Sequence, residues 1–350
     1  MREMPLSPAS GRKDGGMRAA VYTEPGPASV LHLVERDVPP VGPGEVRVRI
    51  KVSAVNPTDV GTRAGRGVRS SHDGPHVPNQ DGAGVVDALG DGVSDLRVGD
   101  RVWVWDAAYL RAEGTAQELV VLPRRQVVRL PDGASFDVGA DLGIPALTAH
   151  RALTVAADGP RRLAPGALTG QVVLITGGAG AVGNAAIQLA KWAGATVLST
   201  VSSKEKAALA AAAGADDVIN YREEEVASRV GDRAPDLIVE VASENLELDV
   251  QIIKPSGSIA SYARGASPSV TVPLSPAMAK NVNLHFVLTY TTTAEQKEDA
   301  VAAVSDAVAA GAFRVGAEAG LPLTRFPLDR IAEAHQAVEG HVIGKVFIDL

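Results

Sequence analysis

The sequence contains no cysteine among its 350 residues, which excludes disulfides, thiolate nucleophiles and cysteine-rich zinc sites. It also lacks any run near the roughly 18 apolar residues that a membrane-spanning helix needs. The first residues lack the apolar segment of a secretory signal. These absences predict a cytoplasmic protein without membrane association, whose chemistry depends on other side chains.

Basic residues are fewer than acidic ones, and the formal net charge is −7. Neither a basic surface strip nor interleaved aromatic residues are evident, so nucleic-acid binding is disfavoured. With 350 residues, of which 45% are hydrophobic, the chain can bury a large core and exceeds the usual size of one domain. We therefore expect two domains.

The chain divides by its local patterns. Residues 1–16 are polar and rich in Gly, Pro and Ser, and we expect them to form a disordered extension. Residues 17–145 contain short β-rich runs separated by Gly/Pro turns, and GEVRVRIKV alternates apolar and charged residues as a half-buried strand does. This part is typical of an irregular, partly closed β-domain.

Residues 146–290 alternate β-rich runs with Ala-rich helical segments, a rhythm typical of βαβ units in a doubly wound parallel sheet of the α/β class. The last part, residues 291–350, contains an amphipathic helix, a short helix and the terminal strand KVFIDL. We expect this segment to return to the first domain.

A glycine-rich turn, ITGGAGAVG, lies between a predicted strand and a predicted helix. Gly178, Gly180 and Gly183 give the spacing G-x-G-x-x-G, and Ala181 and Val182 open the helix. The glycines permit a tight turn and close approach of the backbone to a pyrophosphate, which the helix N-terminus then binds. Alone, the motif also occurs in ordinary turns, but its strand–turn–helix context favours dinucleotide binding.

The position that carries an acid in NAD-binding enzymes is polar and uncharged here. About twenty residues after the turn the chain has Ser202 and Ser203, followed by Lys206 in the next helix. Tyr221 follows the next strand and is expected at the same corner. A cation and hydroxyls suit the 2′-phosphate of NADPH. The alternative is that Lys206 is a solvated helix residue and Tyr221 an ordinary loop aromatic.

Several separated blocks together resemble the medium-chain dehydrogenase/reductase superfamily over residues 17–350. They are NQDGAGVVDALGDGVSDLRVGDRV, GIPALTAHRAL, ITGGAGAVG and GADDVINYRE, and the last three look specifically like the zeta-crystallin-like quinone oxidoreductases. The resemblance implies a Rossmann doubly wound sheet plus a GroES-like irregular β-barrel catalytic domain. It also implies NADPH as the cofactor.

In the zinc-dependent branch of this superfamily, three positions supply metal ligands. Here they hold Asn56, Gln80 and, for the third, a residue near Ile144, while Asp81 replaces the neighbouring glutamate. None of the three is a good zinc ligand. The resemblance therefore implies an enzyme without catalytic zinc.

The resemblance also suggests catalytic residues. Asn56 is expected beside the nicotinamide, Thr58 at the place of a proton-relaying hydroxyl, and Thr148 at the nicotinamide end. Each is also compatible with a turn or capping role. Related bacterial enzymes carry a tyrosine a few residues after this asparagine, where the present chain has about Gly61. We therefore expect the aromatic side chain that borders their substrate site to be absent here. His72 and His76 are weaker acid candidates, because loop histidines are usually solvated.

Without a Lewis acid, reduction of an electron-poor acceptor is easier than oxidation of an alcohol. The main hypothesis is therefore hydride transfer from NADPH to a quinone or activated enone. Alternatives are an enoyl or enone reductase of a biosynthetic pathway and a non-catalytic, crystallin-like NADPH-binding protein. Residues 281–291 lack the Lys, Pro or bulge that protects an edge strand. This run and the resemblance predict a homodimer.

Overall fold

The computed structural model describes residues 16–66, 74–263 and 269–350. Of the predicted N-terminal extension, 1–15 fall outside these ranges, and Gly16 already begins a strand. His72 also lies outside the described residues, whereas His76 lies within them. In the described part of the chain, no helix is long and apolar enough to cross a membrane.

An irregular β-structure occupies the N-terminal part of the chain. Two antiparallel strands, β1 and β2, form a small sheet, and seven others form a larger one in the order β14-β15-β3-β4-β5-β7, with β6 paired to β3. The strands are β1 (Gly16–Val21), β2 (His32–Asp37), β3 (Glu45–Val55), β4 (Asp81–Leu89), β5 (Arg101–Val104), β6 (Leu119–Pro123), β7 (Val127–Arg129), β14 (Leu323–Pro327) and β15 (Lys345–Asp349). The last two bring the C-terminal segment against β3.

A six-stranded parallel sheet forms the second half, in the order β10-β9-β8-β11-β12-β13. Its strands are β8 (Val172–Thr176), β9 (Thr196–Val201), β10 (Asp217–Asn220), β11 (Leu237–Glu240), β12 (Ser258–Ser261) and β13 (Asn283–Phe286). The order reverses between β8 and β11, which makes the sheet doubly wound and places the ligand-binding crevice at the carboxyl ends of these strands. The predicted fold class is confirmed.

Ten α-helices surround the sheets in the described residues. They are α1 (Pro57–Arg63), α2 (Phe136–Asp141), α3 (Leu147–Leu153), α4 (Ala181–Trp192), α5 (Lys204–Ala212), α6 (Val226–Val230), α7 (Leu246–Ile252), α8 (Leu274–Lys280), α9 (Ala294–Ala309) and α10 (Ile331–Glu339). Thr293 and Gln296 form a capping box that starts α9. Between α2 and α3, Leu142–Ala146 form a wide π turn around Pro145, which has no N–H to donate.

One apolar core connects the two halves of the molecule. It contains Trp103 and Phe347 from the larger β-sheet, Leu147 from α3, and Ile175 from the parallel sheet, all fully or almost fully buried. Because this core is continuous, the two sheets are packed against the same set of buried side chains.

The edge strand is shorter than predicted. Residues 281–291 were expected to form one strand, but only Asn283–Phe286 do so, followed by a 3-10 turn over Thr289–Thr291. β13 pairs in parallel with β12 on one side, and it stands last in the order of the sheet. The position of the run therefore agrees with the sequence, and its length does not.

Candidate cofactor cleft and active site

The glycine turn after β8 is sterically constrained. Gly177 has φ +66°, which favours glycine. A Cβ on Gly178 would lie 2.1 Å from the Oγ of Ser199, and one on Gly183 would lie 2.3 Å from the carbonyl oxygen of Gly177. Both close approaches require glycine, so the turn packs against β9 and α4 in the way that the motif predicts.

Helix α4 begins directly at this turn, with Gly180 as its N-cap. The backbone N–H groups of Ala181, Val182 and Gly183 belong to its first turn and have no intrahelical acceptor. Together with the positive end of the helix dipole they offer donors to an anionic group. Gly180 itself lines a cavity, and a Cβ there would lie 3.3 Å from the carbonyl oxygen of Gly177.

A cavity of about 510 Å³ extends from this turn to the larger β-sheet. Its lining includes the predicted residues Asn56, Gly180, Ala181, Ser202, Lys206 and Tyr221. The other predicted cofactor residues do not line it: Gly178 and Gly183 shape the turn, Val182 packs against the core, and Ser203 caps α5 by accepting from the N–H of Lys206 at 3.2 Å.

One end of the cavity is open and carries positive charge. The Nζ of Lys206 donates to the Oγ of Ser202 at 3.1 Å, and Tyr221, 51% exposed, stands beside them. Asp and Glu are absent from the described residues that line the cavity. The open end therefore offers a cation and hydroxyl groups without a carboxylate that would repel a phosphate.

The other end is buried and centres on Asn56, which precedes α1. Its Oδ1 accepts from the Nζ of Lys345 at 2.5 Å, and its Nδ2 donates to Oδ2 of Asp81 at 2.8 Å. The backbone N–H of Asn56 donates to Asp59 at 2.7 Å. Lys345 also lies 3.5 Å from Asp141, so one ammonium and three carboxyl groups surround this amide.

Burial perturbs the three carboxyl groups. Loss of water and, to a smaller extent, the nearby Asp81 carboxylate together raise the pKa of Asp59 to about 8. The same loss raises the pKa of Asp141 to about 7 and that of Asp81 to about 6, although Lys345 opposes both shifts. Three buried acids share one buried cation, so the cluster retains protons near neutral pH.

The remaining predicted catalytic residues lie on two helices. Thr58 is on α1, and its hydroxyl lies 3.2 Å from that of Tyr290. Tyr290 in turn stacks on Tyr109, with ring centroids 4.6 Å apart. Two tyrosines from distant parts of the chain therefore lie next to Thr58, whereas the predicted lack of a bordering aromatic side chain near Gly61 stays a prediction. Thr148 is buried on α3 and does not line the described cavity.

Three further residues singled out from the sequence, Gln80, Ile144 and His76, make contacts within the protein. The Oε1 of Gln80 accepts from the backbone N–H of Ala108 at 3.0 Å, and the N–H of Ile144 donates to Asp81 at 2.9 Å. His76 packs its ring 5.5 Å from that of Tyr22. Over the described ranges, no group of three or more His, Asp or Glu side chains is arranged to hold a metal ion.

Sequence reasoning missed Lys345, Asp59 and Asp141. A signal was present, because Lys345 opens the otherwise apolar strand VFI near the C-terminus, where a buried lysine needs a partner. Which partner it takes depends on the pairing of β15 with β3, which no local pattern indicates.

Known proteins are similar to this chain in both of its halves. Residues 42–132 match the alcohol dehydrogenase GroES-like domain, and residues 181–310 match the zinc-binding dehydrogenase family. A quinone oxidoreductase from Rattus norvegicus is 32% identical over 94% of this chain and 96% of its own.

Two solved structures extend the similarity to the whole fold. The quinone oxidoreductase of Pseudomonas syringae pv. tomato DC3000 superimposes with a TM-score of 0.79 and 27% identity, over 95% of this chain and 100% of that one. The mycobacterial protein Rv1454c, solved as a complex with NADPH, also gives a TM-score of 0.79, with 28% identity over 95% of this chain and 100% of that one.

Proposed function

This chain belongs to the quinone oxidoreductase family of medium-chain dehydrogenases/reductases, and from that premise we propose that it transfers hydride from NADPH to a quinone or an activated enone. The observation that carries the proposal is the cavity itself. It joins a glycine turn at a helix N-terminus, a corner with a lysine and hydroxyl groups, and a buried amide in one cleft. The residues 146–290 form the nucleotide-binding part in this proposal, and 17–145 with 291–350 form the catalytic part.

The residues present fit a dinucleotide phosphate. The cavity reaches the turn at Gly177, Gly180 and Ala181, and the N–H groups of Ala181, Val182 and Gly183 are the donors that would hold a pyrophosphate there. Ser202, Lys206 and Tyr221 would bind the 2′-phosphate, with Ser203 fixing the start of α5. The bound cofactor supplies the hydride, and the chain supplies orientation and hydrogen bonds.

The acceptor's oxygen gains negative charge during reduction, and Asn56 is our proposed hydrogen-bond partner for it. Thr58 and Tyr290 form a pair of hydroxyl groups next to this position, suited to holding a proton or ordering the acceptor. We propose that Thr148 supports the nicotinamide end from α3.

The function is tested by mixing the purified protein and NADPH with quinones, enones and enoyl thioesters in turn. NADPH oxidation, followed by the loss of its absorbance, should be fast with quinones or enones. Rapid turnover of enoyl thioesters alone would support a biosynthetic enoyl reductase instead. Tight NADPH binding without oxidation by any of them would identify a non-catalytic nucleotide-binding protein.

We further propose that the reaction proceeds without zinc. The support is chemical, because Ile144 has no metal-binding group and both Asn56 and Gln80 use their side chains in hydrogen bonds within the protein. Elemental analysis should find less than about one zinc per ten chains, and a chelator should leave activity unchanged. Stoichiometric zinc, with activity lost on chelation, would contradict the proposal.

We also propose a homodimer built through β13. Its outer edge bears Phe286, which is 71% exposed, and the neighbouring Leu274, Met278 and Leu288 are exposed as well. Because the N–H groups of Asn283 and Val287 bond to β12, the alternation of a parallel strand turns the N–H of Phe286 outward. Pairing with a second copy would satisfy it.

Sedimentation should therefore give a mass near twice 36.1 kDa. Phe286→Pro should produce folded monomers, since it removes an outward N–H and leaves the bonds to β12 intact. Val287→Pro is the control, because it removes the 2.8 Å bond to Ser261 inside the protomer and should lower stability instead. A Phe286→Pro dimer of unchanged affinity would place the interface elsewhere.

A further inference from the structure

We propose that Lys345 is a positioning residue that holds the Asn56 carboxamide with its N–H side toward the cleft, so that Asn56 donates a hydrogen bond to the oxygen of the acceptor. This inference rests on the proposed function and deepens it. It assigns a direction to the hydrogen bond and a role to a buried lysine that the mechanism otherwise leaves unused.

The orientation of the amide follows from its two partners. An ammonium group only donates hydrogen bonds, and a carboxylate only accepts them. The Nζ of Lys345 lies 2.5 Å from Oδ1 of Asn56, and Oδ2 of Asp81 lies 2.8 Å from Nδ2. Rotating the amide by half a turn would place its NH₂ group against the ammonium and its oxygen against the carboxylate. The contact with the ammonium would be repulsive, and so would the contact with Asp81 in its ionised form, so the observed orientation is favoured.

The hydrogen bonds of the Asn56 amide indicate which of its groups is available to a ligand in the cleft. The oxygen of Asn56 is occupied by Lys345, and one of the two hydrogens on Nδ2 is occupied by Asp81. Asn56 lines the cavity although only 2% of its surface is exposed. Its second N–H is the donor that these contacts leave available. The oxygen keeps one lone pair, but Lys345 holds that oxygen on its own side. We therefore infer that the amide acts toward a ligand as a donor.

A donor is the group that the reaction needs. Hydride addition to a quinone or enone places two electrons and one hydrogen on the acceptor, and the negative charge that results lies on its oxygen. A proton from solvent then completes the product. A hydrogen bond aimed at that oxygen stabilises the transition state more than the neutral substrate. The ammonium behind Asn56 polarises the amide in the same direction.

The position of Lys345 is itself tightly fixed. It is the first residue of β15, its side chain is 2% exposed, and its backbone N–H donates to Pro322 at 2.9 Å. Gly344 has φ +94°, and a Cβ there would lie 2.0 Å from the Pro322 oxygen. With Asp141 at 3.5 Å, the ammonium has little freedom to leave Asn56.

A purely structural role for Lys345 is the competing explanation, because its charge also offsets Asp81 and Asp141. The two roles predict different kinetics. A structural lysine would lower stability and affect substrate and cofactor alike, whereas a positioning lysine acts on kcat through Asn56. A double-mutant cycle separates them, since two residues that act as one unit are not additive.

The test uses Lys345→Met, Asn56→Ala and the double variant, with an acceptor that the wild-type enzyme reduces. We expect Lys345→Met to lower kcat at least about 30-fold while the Kd of NADPH, measured by fluorescence, changes less than about threefold. In the Asn56→Ala background the same substitution should change kcat less than about threefold. If Lys345→Met folds poorly, the double substitution Lys345→Met/Asp141→Asn takes its place in the cycle. It removes both charges of the buried pair and so leaves no unpaired buried carboxylate at position 141.

Lys297→Met is the matched control, because Lys297 also forms a buried pair, with Asp106 at 2.9 Å, and does not line the cavity. It should lower the melting temperature and leave kcat within about threefold. The inference would be overturned if Lys345→Met lowered kcat equally with and without Asn56, or if kcat and NADPH affinity fell in parallel. In either case the activity of the wild-type protein would still support the proposed function. A wild-type protein that reduces no acceptor would remove both.

Discussion

The two ends of the cleft differ in how far their charged groups are exposed to water. At the open end, Lys206 and Ser202 stand beside the half-exposed Tyr221, where water screens the charge. At the closed end, Lys345 is buried among carboxyl groups and contacts Asn56 and Asp141. The difference indicates that the open end tunes affinity for a cofactor, whereas the closed end depends on a fixed arrangement of hydrogen bonds.

The glycine turn joins these ends, and breaking it should have the largest effect. Gly183→Ala places a Cβ 2.3 Å from the Gly177 oxygen, so the turn and α4 must separate. We expect NADPH affinity to fall at least about 100-fold, about 2.7 kcal/mol, together with the melting temperature.

Gly180→Ala is the informative control, because its Cβ would lie 3.3 Å from the same oxygen. The fold should tolerate it, and the melting temperature should change little, while the added methyl faces the bound nucleotide. Calorimetry and fluorescence titration of both variants give the two readouts. A Gly183→Ala protein with normal stability and affinity would show that the turn is not the nucleotide site.

Much of the open end was predictable from the sequence, and little of the closed end was. The strand–turn–helix pattern around Gly178–Gly183 is local, and the corner residues Ser202 and Lys206 follow within one βα unit. The contact between Lys345 and Asn56 joins residues 289 positions apart, and that between Thr58 and Tyr290 joins residues 232 apart. Such pairs are set by the pairing of sheets and by the shared core, which periodicity and propensity do not encode.

The buried acids of the closed end give the stability of the protein a pH dependence. The folded-state pKa of Asp59, about 8, is above its ordinary value of 3.8, because burial disfavours the carboxylate. Between these values the folded protein binds more protons than the unfolded chain, so Asp59 makes stability fall as pH rises and its effect levels off above about pH 8. Asp59→Asn should therefore stabilise the protein more at pH 8.5 than at pH 6, by about 1–3 kcal/mol.

Asp87→Asn is the control for this experiment. The Arg47 and Arg49 guanidinium groups hold the pKa of Asp87 below its ordinary value against a desolvation effect that raises it. Its contribution is therefore present throughout the range above pH 4 and is lost only in acid. The difference in free energy of unfolding between Asp87→Asn and the wild type, measured in urea, should be the same at pH 6 and at pH 8.5. The same constancy for Asp59→Asn would mean that this carboxyl group does not titrate in that range.

The smallest effect is expected at the open end, where Lys206 determines cofactor preference. Its ammonium lies 3.1 Å from Ser202 in a corner without carboxylates among the described lining residues, so it is placed to pair with a 2′-phosphate. Wild-type protein should bind NADPH at least about tenfold more tightly than NADH, about 1.4 kcal/mol. Lys206→Ala should remove most of that difference and leave the Kd of NADH nearly unchanged.

Lys204→Ala is the matched control, because Lys204 opens the same helix, carries the same charge and does not line the cavity. It should alter both affinities equally and by less than about twofold. Raising the salt concentration should weaken NADPH binding in the wild type more than in Lys206→Ala, since screening acts on the pair that the variant has lost. If Lys206→Ala instead weakens NADH and NADPH by the same factor, Lys206 stabilises the start of α5, and the preference for a phosphate must come from Ser202 and Tyr221.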